Sequence, residues 1–202
     1  MHALILAAGD LSITPRVRAL AGETSLVVAA DGGARHAVTL GLTVTQWVGD
    51  FDSSDGIILD APRQTFPAEK DSTDLELALI SAKSLGATSA TILGAFGGRF
   101  DHALGIALLA ARETKQGFVV GLESGSEAAW IIVNQHSIPL ETGQTFSVLA
   151  LQNCTGLTIQ NAKWNLENAV LEFGSSLGIS NIALGKIKVR LESGCGLLIA
   201  QF

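Results

Sequence analysis

The chain has 202 residues, 48% of them apolar, a formal net charge of −6 and a mean hydropathy of +0.39. That is enough apolar material for a sizeable core in one large domain or two small ones. The acidic balance and the lack of a basic run argue against a nucleic-acid backbone as the main partner. Every apolar run is too short for a membrane span.

The chain opens on Ala3–Ala8, a buried-strand pattern that ends in Gly9-Asp10. It lacks a basic leader and reads as a strand feeding a loop rather than a signal peptide. Leu26–Ala30 is a second strand, followed by Asp31-Gly32-Gly33 and a short helix over Ala34–Leu40 that Gly41 stops. Gln46–Val48 leads into Gly49-Asp50-Phe51-Asp52-Ser53. Thr73 and Glu76 form a capping-box pattern, and the following helix keeps Leu75, Ala78, Leu79 and Ala82 on one face. Ala90–Leu93 is the next strand, then come Gly94–Arg99, a helix over Asp101–Ala111 and a strand over Phe118–Leu122. Alternating strands and helices imply a mostly parallel sheet flanked by helices, with ligands outside the carboxyl ends of the strands.

After about residue 125 the pattern changes. Short β-like runs at Ala128–Val133, Thr145–Leu151, Leu157–Gln160, Ala169–Phe173, Lys186–Leu191 and Gly196–Ala200 are divided by Gly, Asn and Ser. They predict an antiparallel sandwich or barrel without helices. The fold class is therefore α/β with a C-terminal antiparallel β-sandwich, divided as 1–125 and 126–202. Cys154 and Cys195 are too few for a disulfide framework and lack zinc-site spacing. They read as buried free thiols and suggest a cytoplasmic location.

Two motifs, Gly49–Ser53 and Lys70–Asp74, bring four aspartates into 25 residues of a chain that is only 16% charged. Carboxylates that dense need a positive partner or a shared proton. A hard divalent cation such as Mg²⁺ is the simplest answer. Asp50 and Asp52 would point the same way from an extended segment, though an Asx-rich turn explains them as well. Asp71 and Asp74 suit a helix N-terminus, and Lys70 beside them suits a polyphosphate with its metal. Gly97 and Gly98 allow close backbone approach to a phosphate, and the Arg99 fork matches phosphate oxygens. His102 reads first as structural. Trp164 is either a packed aromatic or a flat platform for a cationic ring. Trp47 and Trp130 read as core.

Taken in order, Asp31-Gly32-Gly33, Gly49–Ser53, Lys70-Asp71-x-Thr73-Asp74-x-Glu76 and Gly97-Gly98-Arg99-x-Asp101-His102 resemble the thiamine pyrophosphokinase family. Lys163-Trp164-x-Leu166 and Gly178–Asn181 resemble its vitamin-binding segment, so the likeness covers most of the chain. The resemblance implies a homodimer with its site at the subunit interface. It also implies Mg²⁺-dependent transfer of the pyrophosphoryl group of ATP to thiamine. By position, Asp50, Asp52 and Asp74 resemble the metal carboxylates, with Asp71 nearby. Asp31, Gly32, Lys70, Gly97, Gly98, Arg99 and Asp101 resemble nucleotide- and phosphate-site residues, and Asp71 or Asp101 can take the alcohol proton. Trp164, Ser180 and Asn181 resemble the thiamine contacts. Ile106 departs from the family, standing where members often carry a polar residue. Two other readings stay open: a pyrophosphokinase for another heterocyclic alcohol such as a hydroxymethyl pterin, and a non-catalytic nucleotide- or thiamine-binding protein.

Overall fold

The computed structural model describes residues 1–52, 54–67 and 71–202. Ser53 and Lys70, both singled out in the sequence, lie outside the described residues. The chain forms two compact units, Met1–Ser126 and Glu127–Phe202.

In the first unit, strands β1 (His2–Leu6), β2 (Leu26–Ala30), β3 (Gln46–Gly49), β4 (Arg63–Thr65), β5 (Ser89–Leu93) and β6 (Val119–Glu123) lie in the order β6-β5-β1-β2-β3-β4. Every adjacent pair is parallel. The sequence explains why. β1 is apolar and buried after His2, and β2 is apolar and buried along its whole length. Strands covered on both faces belong in parallel sheets. The helices are α1 (Pro15–Gly22), α2 (Ala34–Leu40), α3 (Asp74–Ser84) and α4 (Phe100–Lys115). α2 ends at Gly41 in the left-handed conformation, φ 68°. On α3, Leu75, Ala78, Leu79 and Ala82 are buried, the face read from the sequence. Two ion pairs join α3 to α4, Lys83 to Glu113 and Arg112 to Glu76.

The Thr73–Glu76 capping box is only half formed. Thr73 Oγ1 accepts from the Glu76 N–H at 3.3 Å. The Glu76 carboxylate turns to Arg112 on α4, because a charged partner outbids a backbone N–H.

The second unit holds β7 (Glu127–Ile132), β8 (Gln135–Ile138), β9 (Thr145–Ala150), β10 (Cys154–Ala162), β11 (Leu166–Leu171), β12 (Asn181–Arg190) and β13 (Gly196–Gln201). All its pairings are antiparallel. β12 serves two sheets. Asn181 and Ile182 pair with β9, and Ile187–Arg190 pair with β8. Between them Phe146, Val148, Leu157, Ile159, Ile187, Val189 and Leu198 form one core. Trp130, expected in the core, is only partly buried; it packs against this cluster and stacks on His136. Cys154 and Cys195 are buried free thiols. Among the described residues no helix is long and apolar enough to cross a membrane.

Candidate active site

Parallel strands deliver their following loops to one edge of the sheet. In the order β5-β1-β2-β3, these loops carry Gly94–Arg99, Ala8–Asp10, Asp31–Gly33 and Asp50–Asp52.

Asp31, Asp50 and Asp74 meet there, with one carboxylate oxygen from each lying within 4.8 Å of the other two. Asp31 is held firmly. It is only 8% exposed, its Oδ1 accepts from Ser54 Oγ at 2.6 Å, and its carbonyl accepts from Trp47 Nε1 at 2.9 Å. Its φ of 40° is costly for a residue with a side chain, so these bonds offset real strain. Asp74 opens α3, where the helix dipole favours negative charge. Three hard oxygen donors at this spacing fit Mg²⁺ completed by water or phosphate oxygens.

Asp52 lies outside that trio. The expectation that Asp50 and Asp52 point the same way assumed an extended segment. Instead Phe51 has φ 67°, and the Asp52 N–H turns back to Asp50 Oδ1 at 3.3 Å. The Phe51 ring is anchored edge-on against Trp47, centroids 5.2 Å apart, with the Arg63 guanidinium 4.4 Å from the Trp47 ring. The sequence motif is thus a turn that presents Asp50, while Asp31 arrives from the neighbouring strand. Asp71 is exposed and also outside the trio. Gly32 is buried beside Asp31.

The glycine loop is laced to the loop after β1. Gly9 N–H donates to the Gly94 carbonyl at 3.0 Å, and Asp10 N–H to the Phe96 carbonyl at 2.8 Å. A Cβ on Gly9 would sit 2.3 Å from the Gly94 oxygen, so only glycine permits this approach. Arg35 and His36 on α2 take the other side of the same loop. Arg35 donates to the carbonyls of Ala8 and Gly9, and His36 Nε2 donates to Gly9 at 3.0 Å. Burial, helped by the Arg35 charge, lowers the His36 pKa against the opposing pull of that hydrogen bond. None of Asp10, Arg35 and His36 stood out in the sequence. The Gly-Asp pair closing the first strand was the one available sign.

Beyond Gly97 and Gly98, Arg99 forks onto Asp101 through Nε at 3.1 Å and Nη2 at 2.6 Å, both side chains being exposed. The Arg99 hydrogen bond holds the Asp101 carboxyl below the usual carboxylate range. His102 is exposed, and its backbone N–H donates to Asp101 Oδ1. Ile106 is partly buried on α4.

In the second unit, the segments around Trp164 and Ser180 lie side by side. Asn181 is buried, and its amide is spent on Trp164: Nδ2 donates to the Trp164 carbonyl at 2.7 Å, and Oδ1 accepts the Trp164 N–H at 3.2 Å. Asn181 therefore positions the tryptophan. Trp164 is 52% exposed, with Lys163 Nζ 4.6 Å from its ring centroid. Ser180 is exposed at φ 59°, its N–H held by Ser147 Oγ.

Comparison with known proteins agrees with both units. The family model "Thiamin pyrophosphokinase, catalytic domain" matches residues 17–120. The model "Thiamin pyrophosphokinase, vitamin B1 binding domain" matches residues 135–198. Thiamine pyrophosphokinase of Bacillus subtilis (strain 168) is 28% identical over 190 residues, covering 88% of this chain and 87% of that protein. The crystal structure of the Bacillus subtilis thiamine pyrophosphokinase superposes with a TM-score of 0.84 at 25% identity, covering 100% of this chain and 99% of that one. The Geobacillus thermodenitrificans thiamin pyrophosphokinase superposes at 0.81 with 24% identity, covering 100% and 98%, and shares the fold. With a catalytic-domain match across more than half its length, the chain belongs to the thiamin pyrophosphokinase family of enzymes.

Proposed function

We propose that the chain transfers the pyrophosphoryl group of ATP to the hydroxyl of thiamine, releasing thiamine pyrophosphate and AMP, with Mg²⁺ as the metal. Residues 1–125 act as the ATP and metal domain and 126–202 as the thiamine domain. The observation that carries the reading is the meeting of Asp31, Asp50 and Asp74 at the carboxyl edge of the parallel sheet. Asp52, one turn away, adds a further carboxylate. Mg²⁺ held there would neutralise charge on the phosphates.

The chain's own groups supply the rest. The Arg99 fork and Lys70 bind phosphate oxygens, and Gly32, Gly97 and Gly98 let the backbone come close to the nucleotide. The thiamine oxygen attacks the β-phosphorus, the bond from that phosphorus to the α–β bridging oxygen breaks, and AMP leaves. The alcohol proton passes to a carboxylate, Asp71 or Asp101. Trp164 offers its ring to the cationic thiazolium, competing with Lys163 for one face. Ser180 adds a hydroxyl and Asn181 fixes the platform. The working form is a homodimer with the site at the subunit interface. An ATP-consuming enzyme with two free thiols fits a cytoplasmic location.

Phosphorus NMR of thiamine, ATP and Mg²⁺ with the protein tests this. AMP and thiamine diphosphate should form only when all three are present. ADP as product, or a hydroxymethyl pterin used in preference to thiamine, would overturn the reading.

A further inference from the structure

Asp10 has no part in the scheme above, yet its position is among the most tightly specified on the rim. Its N–H is tied to Phe96 and forms an isolated bridge with that residue. The carbonyls just before it, Ala8 and Gly9, are held by Arg35 and His36. Leu11, just after it, packs against the apolar core. The backbone is therefore fixed on both sides, while the Asp10 side chain is exposed. Its carboxylate accepts no hydrogen bond from the described residues, and its charge is felt by His36, where it opposes the downward shift of that imidazole. Asp31 and Asp101, by contrast, are engaged by Ser54 and Arg99.

The glycine loop is shaped around this carboxylate. At Gly97, φ is 82°, and an added Cβ would lie 2.3 Å from Asp10 Oδ2 and 2.6 Å from its Cγ. Side-chain volume at position 97 is thus given over to Asp10. A phosphate resting on the Gly97 N–H would face this negative oxygen at close range, where like charges repel. The stretch of rim at Asp10 and Gly97 therefore suits a neutral hydroxyl-bearing group better than an anion. Phosphate belongs where positive charge awaits it, at Arg99 or at a cation held by the trio.

Resting on the pyrophosphokinase reading, we infer that Asp10 recognises the ribose of the nucleotide, its carboxylate accepting hydrogen bonds from the 2′- and 3′-hydroxyls. Asp10 is then the residue that selects ribonucleotides, and Gly97 is the residue that makes room for it.

Hydrogen bonds to a charged acceptor set the size of the effect. Losing one should cost about 10- to 100-fold in kcat/KM. The test compares ATP, 2′-deoxy-ATP and 3′-deoxy-ATP on the wild type, Asp10→Ala and Asp10→Asn. The wild type should prefer ATP over each analogue by about 10- to 100-fold. Asp10→Ala should lower kcat/KM for ATP and bring all three nucleotides to within about threefold of one another. Asp10→Asn, which keeps the shape and loses the charge, should fall between. Equal use of ATP and the deoxy analogues by the wild type would overturn the inference. So would an Asp10→Ala variant that loses activity equally on all three, since a purely structural role would act that way. Calorimetric titration with AMP and 2′-deoxy-AMP reads the same preference without turnover. Wild-type protein that makes no AMP would end the kinase reading, and this titration would still decide the role of Asp10.

Discussion

Replacing Asp50 by asparagine should leave its turn intact and strip the folded protein of most of the stability that Mg²⁺ lends it. Asp50 shares the trio with Asp31 and Asp74 at separations within 4.8 Å. Each carboxylate that close to a divalent cation adds its own attraction, and an amide brings no full negative charge. The Asp50→Asn change keeps the Oδ1 that accepts the Asp52 N–H. Mg²⁺ at about 100 times its Kd stabilises the wild type by ~2.7 kcal/mol, and the variant should lose most of that. Thermal unfolding followed by circular dichroism, in EDTA and in Mg²⁺, gives both numbers. For a chain of this size the Mg²⁺ stabilisation corresponds to roughly 5–11 °C in Tm. A variant that keeps this Mg²⁺-dependent rise would refute the trio as a cation site.

Thr73→Ala removes the acceptor for the Glu76 N–H. It should cost about 1 kcal/mol, seen as a lower urea midpoint. Gly9→Ala drives a Cβ against the Gly94 and Phe96 carbonyl oxygens, backbone atoms that cannot swing away. A loss of about 2 kcal/mol or more in urea unfolding is expected, because the two loops must part. Burial pushes the Glu113 carboxyl up, but Lys83 and Arg112 outweigh it and hold the pKa below the usual glutamate range. Its stabilising contribution is therefore present above the unfolded pKa of about 4.3 and lost as pH falls through the lower folded value. Glu113→Gln should be the less stable protein at neutral pH, and the gap should close in strong acid. An unchanged gap across that window would contradict the assignment. Trp164→Ala should raise KM for thiamine about 3- to 30-fold, in line with a cation–π contact.

The parallel half of the fold was legible wherever burial wrote itself as an apolar run, as in β1, β2 and β5. β4 was not, because Arg63, Gln64 and Thr65 are polar and exposed at the sheet edge. α1 was missed for a related reason: only Val17 and Ala21 of its eight residues are buried, too few for a periodic stripe. In the site, motif order identified the acidic loops, but which carboxylates meet depends on strand order. Asp31 and Asp50 are 19 positions apart in sequence and come together because β2 pairs with β3. The Asp50–Asp52 geometry hinged on one backbone angle at Phe51, which residue identity alone does not give. Asn181 stood out in the sequence through the family resemblance, but its hydrogen bonds to Trp164 required the side-by-side placement of two distant turns.

The hydrogen bond from Trp47 to the Asp31 carbonyl also gives the protein an optical reporter. The chain has three tryptophans and no tyrosine. Trp47 is fully enclosed, and its indole N–H ends on the residue whose carboxylate faces the trio. Its emission should respond when the trio fills, without any dye or tag. Trp130 and Trp164 belong to the other unit, so replacing those two by phenylalanine would leave a fluorescence signal that watches the acidic rim alone.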